Sequence, residues 1–155
     1  MTAGSSLGFI GFLTQNSRWL AAGGLLTLLS SFGQTFFISI FAAQIQADFE
    51  LSHGSWGAIY SVGTMASALV MVWSGSLTDM WRARSLGVLV LALLAASCLA
   101  MALNPYVALL PFVIFALRLT GQGMTSHIAI VAMARWFVAT RGKALAIATL
   151  GFSIG

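Results

Sequence analysis

The sequence has very few charged residues. Asp, Glu, Lys and Arg make up 6% of its 155 residues, whereas an ordinary soluble domain contains roughly 25%. Hydrophobic residues account for 59%, and the uncharged runs reach the roughly 20 residues that an α-helix needs to cross a bilayer. The composition therefore excludes an ordinary soluble domain and predicts an all-α fold, a polytopic transmembrane helical bundle.

The sequence also has little cysteine, and its basic residues are scattered. Cys98 is the single cysteine and lies inside an apolar run, which argues against a disulfide framework and a thiolate metal site. The net charge is +4, but the basic residues mostly flank apolar runs and form no continuous basic face. We therefore expect no nucleic-acid partner, no metal, no cofactor and no catalytic residue.

The long apolar runs predict four spanning helices and one shorter helix. At about 1.5 Å per residue the last run is too short to cross the hydrocarbon. We interpret the chain as a cytoplasmic tail at 1–18 followed by a truncated transmembrane domain at 19–155, with helices at about 19–43, 56–77, 85–103, 106–134 and 144–155.

Basic residues lie in alternate loops. Arg18 precedes the first predicted helix, Arg82 and Arg84 follow the second, and Arg135 follows the fourth, whereas the loops between carry no Lys or Arg. Because short basic loops remain on the cytoplasmic side, we expect a cytoplasmic N-terminus in a plasma membrane or a bacterial inner membrane.

Asp79 stands out in the stretch GSLTDMWRAR. It lies where the second predicted helix ends, and a carboxylate there meets the negative end of the helix dipole. A compensating partner is therefore expected, either Arg84 or the N-terminus of another helix. A charge pair that ties two helix ends together can be made in one conformation and broken in another, as a gate requires.

Arg118 is the one basic residue that the loops do not explain. It lies 12 residues into the fourth predicted helix, and an intramembrane arginine normally faces a cavity or a partner. At the α-helical angle, Gln122 shares its face while His127 lies about 180° away. Gln34 belongs to a polar stripe on the first helix, with Thr27 and Ser31, that is equally consistent with cavity lining and with helix packing.

Three stretches resemble the major facilitator superfamily of secondary transporters. GSLTDMWRAR is similar to the family's loop between helices 2 and 3, G-x-L-x-D-R-x-G-R-R, and RLTGQG to its fourth-helix pattern. The stretch RWFVATRGKALAIATLGFSIG resembles the start of helix 5, particularly in the monocarboxylate and oxalate/formate carriers. In the loop, Gly75, Leu77, Asp79 and Arg84 fit the pattern, whereas Met80, Arg82 and Ala83 depart from it.

The resemblance implies a secondary active transporter that works by alternating access with ion or proton coupling. Arg118, Gln122 and Gln34 are then the candidate substrate or coupling residues, and Gly75, Asp79, Arg82 and Arg84 form the gating loop. The implied partners are a small solute, protons, the lipid bilayer and a C-terminal half beyond residue 155. Since Arg118 is cationic, a small organic anion is the first candidate solute.

Three alternatives remain at this stage. A drug or metabolite proton antiporter would have the same fold, and a complete four-helix membrane protein could serve a structural or assembly role. GFSIG, residues 151–155, also matches the G-x-S-x-G motif of hydrolases, with Ser153 as nucleophile, but that motif needs a strand-turn-helix context. We expect a transporter rather than an enzyme. Coding sequence beyond residue 155 would favour the transporter over the small assembly protein.

Overall fold

The structure is a computed structural model that describes residues 8–155, and every regular element in this range is a helix. Three segments depart from the α-helix, namely 3₁₀ turns at Ser30–Gly33 and Val107–Leu109 and a π-helix at Arg118–Thr125. The α-helices are α1 Phe9–Leu29, α2 Thr35–Ile40, α3 Ala42–Asp48, α4 His53–Ser74, α5 Leu77–Met80, α6 Ala83–Ala102, α7 Leu110–Leu117, α8 Ser126–Trp136 and α9 Arg141–Ile154.

Four stretches are long and apolar enough to cross a membrane. They are the first span Phe9–Ile40, the second span His53–Met80, the third span Ala83–Ala102 and the fourth span Val107–Trp136. The predicted all-α transmembrane bundle is therefore confirmed.

The first helix begins ten residues earlier than expected, at Phe9 instead of Trp19. Phe12 and Leu20 pack in one buried cluster with Met133 and Phe137. This contact explains why helical structure extends into the predicted tail, because apolar residues there pack against the end of the fourth span. Residues 1–7 of that tail lie outside the described residues, and its cytoplasmic location stays a prediction.

The first and fourth spans cross where both leave the α-helical conformation. In the first span, a 3₁₀ turn ends at Gly33, and Gln34 has extended backbone angles before α2 begins. A Cβ atom on Gly33 would lie 2.7 Å from the Cα atom of Gly121 in the π-helix. Only glycine at both positions allows the two backbones to approach so closely.

α9 packs along α1 through small residues. The Thr27 hydroxyl donates a hydrogen bond to the Ala148 carbonyl, and a Cβ atom on Gly151 would lie 2.7 Å from the Leu28 backbone nitrogen. A Cβ atom on Gly155 would likewise collide with the Ser31 hydroxyl oxygen. Thr27 and Ser31 of the polar stripe therefore serve helix packing.

Candidate functional site

A cavity with several polar side chains in its wall lies between the second and fourth spans. Its volume is about 350 Å³, within the range of sites that hold small molecules. It is bounded on one side by α4 and on the other by the π-helix and α8. The lining residues are Thr64, Ser67, Ala68, Met71, Arg118, Gln122, Gly123, Ser126, His127 and Ile130.

Arg118 is buried where the first, second and fourth spans meet. Its exposed fraction is 9%. Nη1 donates hydrogen bonds to the Gly33 carbonyl at 3.3 Å and to the Thr35 hydroxyl at 2.9 Å, and Cζ lies 5.7 Å from the centre of the Tyr60 ring. All three partners are neutral, so no carboxylate within residues 8–155 balances this charge.

The contact with Gly33 follows from the break in the first span. Gly33 precedes Gln34, the N-cap of α2, so its carbonyl has no partner in the hydrogen-bond ladder of that helix. An unpaired carbonyl is costly in a membrane, and the Arg118 guanidinium supplies the missing donor. The same side chain therefore lines the cavity and satisfies the broken backbone.

Two polar atoms in the cavity wall have no hydrogen-bond partner among the described residues. They are Oε1 of Gln122 and Oγ1 of Thr64, and both are buried. Buried polar atoms are nearly always paired in folded proteins, so these two are suited to contact a polar ligand. The wall therefore offers hydrogen-bond acceptors as well as a cation.

His127 lines the same cavity as Arg118, which corrects the expectation that the two residues lie on opposite faces. Nine residues make about two and a half turns of an α-helix. Residues 118–125, however, form a π-helix, whose wider turns use more residues, so the same nine residues make about two turns. A local change of helix type that hydropathy does not reveal therefore reverses the predicted orientation.

Gln34 lies apart from this cavity. It caps α2 at the break in the first span and is not among the lining residues. Arg118 contacts the residues on either side of it, Gly33 and Thr35. The structure therefore brings Arg118 and Gln122 together at the cavity and places Gln34 elsewhere on the first span.

A second cluster lies at the end of the bundle that carries the basic loops. Asp79 in α5 forms a salt bridge with Arg135 in the last turn of α8. Nη1 of Arg135 also donates a hydrogen bond to the Thr78 carbonyl at 2.6 Å. The partner of Asp79 is therefore Arg135 rather than Arg84 or a helix N-terminus, and the cluster joins the second span to the fourth.

A sequence model of the Major Facilitator Superfamily matches residues 23–155. The match includes most of the first span, the next three spans and α9. The chain belongs to the Major Facilitator Superfamily. No curated protein and no solved structure matches it.

Superfamily members are membrane transporters rather than enzymes, so this chain is an integral membrane protein that takes part in transport. The match covers both features described above, the cavity around Arg118 and the cluster at Asp79. It does not distinguish the monocarboxylate and oxalate/formate branch from the other branches of the superfamily.

The other residues of the predicted gating loop are Gly75, Arg82 and Arg84. Gly75 adopts helical backbone angles, and its carbonyl accepts a hydrogen bond from the Thr78 hydroxyl. Arg82 and Arg84 are exposed at the start of α6, and neither forms an ion pair within residues 8–155. Positive charge at a helix N-terminus opposes the helix dipole, so the preference for basic residues on one side of the membrane explains them better.

The G-x-S-x-G match has no structural support. Ser153 lies within α9, an uninterrupted α-helix from Arg141 to Ile154. The hydrolase motif requires a strand before its turn, and no strand occurs in residues 8–155. The hydrolase alternative therefore lacks the structural context that it requires.

Proposed function

We propose that this transporter is a secondary active transporter that moves a small organic anion through the cavity between the second and fourth spans. The observation that carries the proposal is the buried Arg118 guanidinium, which has only neutral partners in residues 8–155. Coupling to a proton or another ion would supply the driving force.

The chemistry of the cavity favours an anion. A guanidinium has five N–H donors in a planar fork, and within residues 8–155 only Nη1 of Arg118 is used. A carboxylate could accept hydrogen bonds from Nε and Nη2 and would neutralise a charge that is costly in a membrane. Gln122 and Thr64 could contact the polar groups of the same solute.

The Asp79 cluster fits a role in alternating access. In this proposal Asp79 and Arg135 close the cytoplasmic side, and Gly75, Arg82 and Arg84 belong to the loop that moves with them. The solute would be held against a second half of the transporter, which would cover the cavity from the side opposite the first half. Exchange between two such states requires a contact that can break, and an exposed salt bridge is weak enough to do so.

The proposal is tested by replacing Arg118 in the full-length protein, reconstituted in proteoliposomes. Arg118→Gln removes the charge, whereas Arg118→Lys keeps the charge but loses the planar fork. Uptake of radiolabelled short-chain mono- and dicarboxylates is measured. We expect the apparent affinity to fall by about tenfold to a hundredfold in Arg118→Gln, the loss expected for charge-assisted hydrogen bonds, and by less in Arg118→Lys.

Arg18→Gln provides a matched control because Arg18 is an exposed arginine on the first span. Its carboxylate uptake should equal that of the wild type. Unchanged uptake in Arg118→Gln would exclude the anion role. Transport of a lipophilic cationic dye, without carboxylate uptake in the wild type, would instead support the drug antiporter alternative.

A further inference from the structure

The cavity and the Asp79 cluster meet at a single side chain, His127. This residue lines the cavity on the side of α8, and its Nε2 atom lies 3.5 Å from Oγ1 of Thr78. Thr78 is buried, and it immediately precedes Asp79. A histidine therefore lies between the proposed solute site and the proposed gate.

The direction of the hydrogen bond between His127 and Thr78 follows from the neighbouring contacts. The Thr78 hydroxyl already donates its proton to the Gly75 carbonyl at 2.9 Å. Its oxygen is therefore available to His127 only as an acceptor, and a hydrogen bond between them requires a proton on Nε2. The charged imidazole always has that proton, whereas the neutral form has it in only one of its two tautomers.

We propose that His127 is a proton-binding residue, and that its proton strengthens the packing of α5 against α8 and so stabilises the Asp79–Arg135 contact. This inference rests on the proposed function, since it assigns the contact to one state of an alternating-access cycle. The charged imidazole donates a stronger hydrogen bond to Thr78 than the neutral one does. Loss of the proton weakens the contact and favours its opening.

The charged groups around His127 also favour a closed contact when His127 carries its proton. Arg118 and Arg135 belong to the same span as His127, so their repulsion of the imidazolium changes little when α5 moves away. Asp79 is on α5 and attracts the imidazolium only in the closed arrangement. α4 contributes no ionisable side chain to the cavity lining.

Four further basic residues flank this end of the bundle. They lie at the beginnings of α6 and α9, and none of them lines the cavity or has a hydrogen bond or ion pair with His127 in the described part of the chain. Thr78 and Asp79 are therefore the groups whose interaction with His127 differs between the closed and open arrangements of α5 and α8. The four residues are Arg82, Arg84, Arg141 and Lys143.

The test measures the separation of α5 from the end of α8 as a function of pH. Spin labels are attached at Met80→Cys and Ala139→Cys, both exposed positions, in a cysteine-free background of the full-length protein that includes Cys98→Ser, in lipid nanodiscs. Distances are recorded without solute at about pH 5 and about pH 8, the range over which histidine changes charge. We expect the separated population to increase about fivefold, relative to the closed one, at the higher pH.

Substitutions identify the titrating group. His127→Gln keeps an amide donor but cannot change charge, so its distance distribution should not depend on pH. Thr78→Val removes the acceptor and should reduce the response, because only the attraction of Asp79 then remains, and this provides a second readout if His127→Gln fails to fold. His53→Gln changes the other histidine of the chain, which is exposed, and should retain the wild-type response.

A pH response that persists in His127→Gln would overturn the inference, and so would a wild-type protein without any response. A response that persists in His127→Gln but disappears in Asp79→Asn would assign the titration to Asp79 instead. Because the distances are measured without solute, they do not depend on the anion. A normal pH response with unaltered carboxylate uptake in Arg118→Gln would refute only the anion assignment.

Discussion

Arg135 makes two contacts with α5, and they differ in exposure. The salt bridge to Asp79 is largely exposed, with 71% of the Asp79 side chain accessible and 47% of the Arg135 side chain. The hydrogen bond from Arg135 to the Thr78 carbonyl is partly buried. Exposed ion pairs contribute about 0.2–1 kcal/mol, whereas a hydrogen bond from a charged donor contributes about 1.5–3 kcal/mol.

We therefore expect Arg135→Gln to weaken the contact between α5 and α8 more than Asp79→Asn does. The population ratio of closed to open states should change by less than about sixfold in Asp79→Asn and by more in Arg135→Gln. Spin-label distances between positions 80 and 139 provide the measurement, and high salt should reduce the effect of Asp79→Asn alone. Equal effects of the two substitutions would mean that the salt bridge, rather than the bond to Thr78, stabilises the contact.

The angular spacing predicted from the sequence held only over a short separation. Gln122 shares a cavity with Arg118, as a spacing of four residues indicates. His127 did not follow the same angular rule, because it lies beyond the π-helix. The partner of Asp79 was not predictable either, since Arg135 is 56 positions away and only the packing of the second span against the fourth brings them together.

Whole helices were easier to predict than these contacts. The cost of placing charge in hydrocarbon separates the spans in the sequence, so long apolar runs predicted all four of them, including the fourth, which contains Arg118. The earlier start of α1 and the break near Gly33 depend on packing partners instead. Hydropathy does not contain that information.

At the level of elements, the crossing of the first and fourth spans leads to a stability prediction. A Cβ atom on Gly33 would lie 2.8 Å from the Gln122 backbone nitrogen, and a backbone atom cannot move aside as a flexible side chain can. Gly33→Ala should therefore destabilise the bundle by about 1–3 kcal/mol, the usual cost of overpacking. The unfolding midpoint in detergent measures this loss.

Gly24→Ala is the matched control for this substitution. Gly24 lies on the same span, and a Cβ atom there would have no neighbour within 4 Å. Its unfolding midpoint should remain the same or rise slightly, because alanine favours helix more than glycine does. A Gly33→Ala protein as stable as Gly24→Ala would show that the spans can separate without cost.

At the level of the whole molecule, the basic loops predict which side of the membrane each end of the bundle faces. Gly54 at the start of α4 and Ser76 after α4 are exposed at opposite ends of the second span. In a cysteine-free background that includes Cys98→Ser, a membrane-impermeant maleimide added to intact cells should label Gly54→Cys and not Ser76→Cys. Permeabilised cells should show labelling of both, and the reverse pattern in intact cells would invert the orientation.

The contact between Arg118 and Gly33 has a consequence for how a solute would enter the cavity. The protein's own Gly33 carbonyl occupies Nη1 of the guanidinium, so an incoming carboxylate meets Nε and Nη2 while that bond is kept. A solute that draws Arg118 away from Gly33 leaves the break in the first span without its donor. Binding of the solute would then be coupled to loosening of the first span, so the binding energy would drive a conformational change.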